Sequence, residues 1–156
     1  MSNVYLISIP SASALANCPP QEDDLSRFKD DATALDQLLQ KLDKIKGFQS
    51  EESLKSQYAE LLSAIQAAGA KVADDIAELP YSSDPAARAF ARDPDSGFGA
   101  LKFLFTTDAE GGKLPSMQSA SQGSVDDMAK LCAYYLDTDN REELASLMNS
   151  IEKITQ

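Results

Sequence analysis

No histidine occurs among the 156 residues. The side chain that most often serves as a general base near neutral pH is therefore missing. The only two cysteines, Cys18 and Cys132, stand far apart and form no CxxC pair, which leaves neither a disulfide framework nor a thiolate–imidazole zinc site. Basic residues are scarce, 14 against 25 acidic ones, for a net charge of −11. Acids outnumber bases in each of the segments 21–46, 47–79, 80–123 and 124–156, so the excess is spread along the chain rather than held in a tail. Phosphate backbones and anionic membranes are bound by clustered Lys and Arg, so no direct nucleic-acid or membrane partner is expected. No apolar run approaches the roughly 20 residues that cross a bilayer. Gly97-Phe98-Gly99 and Gly111-Gly112-Lys113 miss the spacing of phosphate-binding loops and read as turns.

What the chain does have is ordinary globular content, 43% hydrophobic and 25% charged, enough for one domain with a real core. Two apolar stripes organise it. Leu25, Phe28, Ala32, Leu35, Leu39 and Leu42 recur at steps of three and four, and Leu54, Tyr58, Leu61, Ile65, Ala68 and Val72 continue the rhythm. That spacing keeps one narrow face on one side of a helix. The first helix is expected from Asp23 or Asp24 to about Lys46, with Lys41, Lys44 and Lys46 at its negative end and Gly47 as a left-handed cap. Ser50 caps a second helix ending before Pro80, with Glu51 and Glu52 in its first turn. Gly69 within it points either to a close neighbour or to a bend, and a continuous helix is the preferred expectation.

The chain divides into an extended N-terminal segment (1–21), a helical hairpin (22–79), an irregular aromatic middle (80–123) and a C-terminal helical hairpin (124–156), all one domain. Asn3 to Ile9 reads as a strand stopped by Pro10. Residues 1–10 lack the basic start of an export signal, so a cytoplasmic location is expected. In the middle, Asp84-Pro85 starts a short helix and Asp93 to Gly97 is turn material. Gly99 to Thr106 fits either a strand or a buried helix, and Thr107 to Gly123 is loop-like. Ser124 and Asp127 have capping-box spacing ahead of Val125, Met128, Leu131, Cys132, Tyr135 and Leu136. Asp139 opens a last helix whose stripe is Leu144, Leu147, Met148, Ile151 and Ile154. The fold class is mainly α: an antiparallel bundle of two helical hairpins with a short N-terminal strand.

Reactive groups are hard to assemble from this material. Lys130 and Cys132 are two apart on a helix and do not face each other, and Asp126, Asp127 and Asp137 surround the thiol with the wrong charge for a thiolate. The acidic doublets Asp23-Asp24, Asp30-Asp31, Asp74-Asp75, Asp126-Asp127 and Glu142-Glu143 diverge by about 100° around a helix, so none makes an acid/base pair alone. Asp74-Asp75 is the least comfortable, although Lys71 can reach Asp75 at the next turn. Asp137, Asp139 and Asn140 lack the glycine and the final acid of a calcium loop. The expectation is a non-enzyme without metal or cofactor.

The remaining candidates are surfaces. Tyr5, Ile7 and Ile9 share one strand face, and Phe98, Phe103 and Phe105 lie in the middle; the two segments pair as a small sheet over the helices, or one of them meets a partner. The leading expectation is an acidic helical interaction module, a subunit, adaptor, chaperone or inhibitor, binding another protein or itself. A nucleic-acid-mimicking inhibitor and a bundle holding a small apolar ligand are the alternatives. The start Tyr5-Leu6-Ile7-Ser8-Ile9-Pro10, followed by a loop and an acidic helix containing Leu35-Asp36-Gln37-Leu38-Leu39, resembles the opening of the vacuolar ATPase C-subunit family; the likeness covers a handful of residues and no function is carried across from it.

Overall fold

The computed structural model describes residues 23–47 and 50–156. The expected strand at 3–9, with Tyr5, Ile7 and Ile9, lies outside the described residues. Within them eight α-helices pack as a bundle and there is no strand, only an isolated bridge between Ala109 and Leu114. The helices are α1 (Asp24–Asp43), α2 (Glu51–Gln57), α3 (Ala59–Glu78), α4 (Pro85–Arg92), α5 (Phe98–Thr106), α6 (Met117–Gln122), α7 (Val125–Leu136) and α8 (Arg141–Thr155).

The first stripe becomes the centre of the molecule. Phe28, Ala32, Leu35, Leu39 and Leu42 are fully buried, and α1 packs chiefly between α3 and α8. Arg27, near the start of α1, meets Asp75 near the end of α3, while Asp43 at the end of α1 meets Arg141 at the start of α8. Both neighbours therefore run antiparallel to α1. The expected hairpins are thus tied into one bundle, with α8 giving more of its face to α1 than to α7. Helix α1 also stops at Asp43 rather than Lys46, and Gly47, with φ of +75°, sits beyond its cap residue Lys44.

The second stripe is interrupted. Its helix breaks at Tyr58 (φ −126°, ψ 31°), where the sequence has neither glycine nor proline. The cause is tertiary: α2 leaves the α1–α3 pair and lies on α7, where Lys55 pairs with Asp126 at 3.1 Å. Beyond the break the buried face turns, so that Leu62, Ile65, Gly69, Val72, Ala73 and Ile76 are covered, while Leu61 and Ala68 are only partly so.

Helix α3 runs straight through Gly69, which admits α6. A Cβ built there would lie 2.1 Å from Ser121 Oγ and 3.1 Å from Ser121 Cβ. Alanine would add about 1 kcal/mol of helix propensity, and overpacking a closed contact costs about 1–3 kcal/mol. Gly69→Ala is therefore expected to lower stability by about 1 kcal/mol in urea unfolding, and to cost less in a Ser121→Gly background than in the native chain. Equal costs in the two backgrounds would show that this contact does not require the glycine.

Three helices occupy the segment expected to be irregular. Helix α4 starts as its sequence suggests, with the Asp84 carboxylate accepting from Ala86 N–H at 3.0 Å. Helix α5 settles the strand-or-helix alternative and removes the sheet that would have paired it with residues 3–9. Helix α6 lies in the stretch expected to be loop, with Ser116 Oγ accepting from Ser119 N–H at 3.0 Å. The Ser124–Asp127 capping box forms as expected. The last helix begins at Arg141 rather than Asp139, because Asp137 to Asn140 is taken up by a 3-10 turn in which the Asp137 carboxylate accepts from Asp139 N–H.

Candidate functional site

The aromatic residues singled out in the middle do not act together. Phe98 stacks edge-on against Phe28 (centroids 5.7 Å apart) and also meets Phe90 at 6.2 Å, tying α5 to α1 and α4. Phe105 is fully buried as well. Neither is a surface in this fold. Phe103, on the other side of α5, is 67% exposed.

Phe103 borders a cleft of about 290 Å³ between α5, the loop after it, α7 and α8. Leu104, Ala109, Tyr135 and Leu147 supply apolar lining, and Asp108, Glu142 and Glu143 supply carboxylates. The local sequence accounts for each placement. The paired backbone bonds of Ala109 and Leu114 close the loop that carries Asp108. Glu142 and Glu143 stand in the first turn of α8, where the helix dipole favours acids. The Tyr134 hydroxyl donates to the Glu143 carboxylate, which fixes that carboxylate and pushes the Tyr134 pKa up to about 12. Beside it Tyr135 is buried, which raises its pKa as well.

A larger groove of about 660 Å³ runs between the end of α1 and the α2–α3 break, with Leu38, Ile45, Tyr58 and Leu61 among its lining. Its rim carries both signs, Lys41 and Glu60, and it holds no exposed aromatic of the Phe103 kind.

The chemistry elsewhere is quieter. Cys132 is fully buried and burial pushes its thiol pKa up to about 12, so the thiol stays neutral. Asp75 is buried and pairs with Arg27 at 3.4 Å rather than with Lys71. Its other carboxyl oxygen meets no donor; Asp31 lies beside the group, and the two acids share a hydrogen bond only when one of them holds a proton. Burial first, then Asp31, raises the Asp75 pKa to about 7 against the opposing pull of Arg27. Each member of this pair comes from a different sequence doublet, which is why neither doublet revealed it. Asp36 is buried on the opposite flank of α1, its pKa raised chiefly by burial; Gln40 donates to it at 2.8 Å, and Glu152 of α8 lies beside it. Neither Asp31, Asp75 nor Asp36 lines the two clefts above. Among the described residues no cluster of metal-ligating side chains could hold an ion, and no helix is long and apolar enough to cross a membrane.

No protein-family model, no curated protein and no solved structure matches this chain.

Proposed function

We propose that the chain is a non-enzymatic, acidic helical interaction module, a small subunit, adaptor, chaperone or inhibitor, that docks another protein through the Phe103 cleft. The observation that carries this reading is a two-thirds exposed phenylalanine at the edge of an apolar cleft ringed by carboxylates. Exposed aromatics beside side-chain-sized pockets are the residues on which binding energy concentrates, and a rim of one charge speeds encounter with a complementary surface. Tyr81 is more exposed than Phe103 but borders neither cleft. The one described thiol is buried and neutral, histidine is absent, and the buried acid pair lies away from the cleft.

The test compares the full chain with Phe103→Asp, using light scattering for self-association and quantitative mass spectrometry for proteins retained from extracts of the source cells. The native chain is expected to hold a partner or a second copy in fixed ratio, and Phe103→Asp to lose it by about tenfold or more with unchanged helicity. A native monomer that retains the same proteins as Phe103→Asp would sink the reading.

A further inference from the structure

We infer that the occupant of the Phe103 cleft is a positively charged segment that inserts one apolar side chain, a statement that rests on the docking reading above. The cleft, at about 290 Å³, lies at the lower edge of the roughly 300–1,000 Å³ typical of small-molecule sites. It fits a side-chain anchor better than a cofactor. Its rim decides the sign of what surrounds that anchor. Asp108, Glu142 and Glu143 put three exposed carboxylates around one apolar cleft, and no Lys or Arg among the described residues forms an ion pair with any of them; the paired cations serve other acids. Lys55 serves Glu51, Glu52 and Asp126, Arg27 serves Asp24 and Asp75, and Arg141 serves Asp43.

The rim is also prepared for a cation. The Tyr134 hydroxyl holds the Glu143 carboxylate in place, so less ordering remains to be done when a guanidinium or ammonium arrives. An anionic segment would meet like charge at the rim, and a neutral one would gain nothing from it. Residues 1–22 of the chain contain no Lys or Arg, so they match the apolar lining but not the rim.

The test uses three fluorescein-labelled 12-residue peptides with the same apolar spacing and with Lys, Gln or Glu at the flanking positions, titrated into the full chain by fluorescence anisotropy at low and moderate salt. The Lys peptide is expected to bind about tenfold tighter than the Gln peptide and to weaken as salt rises; the Glu peptide is expected not to bind. Glu142→Gln with Glu143→Gln should weaken the Lys peptide about five- to tenfold and flatten its salt dependence. Removing the same charge at a distance, with Glu60→Gln and Glu78→Gln, should leave it nearly unchanged, and Phe103→Ala should weaken the Lys and Gln peptides alike.

Equal binding of the Lys and Gln peptides, or an equal loss from the distant pair, overturns the cationic occupant while the docking reading survives. Failure of all three peptides to bind overturns the cationic occupant; if Phe103→Asp also leaves the retained proteins unchanged, the docking reading falls with it. Cross-linking from position 103 to residues 1–22 of the same chain would replace the foreign segment by an internal one.

Discussion

Phe98→Ala is expected to remove about 3–5 kcal/mol of unfolding free energy, whereas Phe103→Ala, in the same helix, should change it by less than about 0.5 kcal/mol. Phe98 is buried at the meeting of α1, α4 and α5, where it forms a tilted and edge-on cluster with Phe28 and Phe90. Alanine there forfeits the transfer energy of a ring, the aromatic contacts and the packing of the cavity walls. Gly97, just before Phe98, is packed closely against α8. Its φ is +89°, and a Cβ built on it would lie 2.9 Å from Ile154 of α8. Phe103 touches water instead, so truncating it removes little that folding had gained. Urea midpoints with unchanged slopes measure both. Comparable losses at the two positions would mean that Phe103 belongs to the core, and the docking reading would then lose its anchor.

The spacing holds the contrast between these two phenylalanines, although the sequence expectation groups Phe98, Phe103 and Phe105 as one surface. Phe98, Leu101 and Phe105 follow i, i+3, i+7, which is one helical face, and Phe103 falls off it. The run Gly99–Thr106 is too short for its period to exclude a strand, but extending it back to Phe98 supplies the missing point. The break at Tyr58 had no such signal. Helix propensity is uninterrupted there, and the break goes with the docking of α2 on α7 through Lys55 and Asp126, a long-range contact that no local pattern encodes. Helix α6 was hidden for a related reason: Met117–Gln122 is short and serine-rich, and its helicity depends on the Ser116 cap and on the hollow at Gly69. The N-caps at Ser50, Asp84 and Ser124 were readable because each is a local bond between a side chain and a backbone N–H two or three residues on. The cleft was not readable, since its two walls, Phe103 and Glu142, meet only after α8 has folded back along α1.

The buried acids mark the other place where pattern and chemistry part company. Asp36 and Asp75 both fall in register with apolar stripes, four residues after Ala32 and three after Val72, so their burial could have been anticipated; their partners across helices could not. The consequence is measurable. Asp75→Asn is expected to raise stability at pH 8 by about 2–4 kcal/mol and to change it little below pH 4. In the folded chain burial and Asp31 raise the Asp75 pKa from 3.8 to about 7, while in the unfolded chain it returns toward its ordinary value. Between those values the folded state holds a proton that the unfolded state has released, so native stability falls as pH rises from about 4 to about 7. Above that range Asp75 is ionised in both states, and the folded one bears the burial and the neighbouring Asp31 charge. Asparagine is neutral throughout and can still donate to Asp31, so the slope should flatten. Arg27 loses one partner but keeps Asp24 at 2.8 Å. The Asp24 pKa is lowered, first by the Ser82 hydroxyl, so its own contribution is lost only as pH falls below the window. Asp36, raised by burial beside Glu152, should leave a smaller residual slope of the same sign, which Asp36→Asn would remove. Profiles for Asp75→Asn and the native chain that run parallel from pH 4 to pH 8 would show that the Asp31–Asp75 contact does not hold a proton.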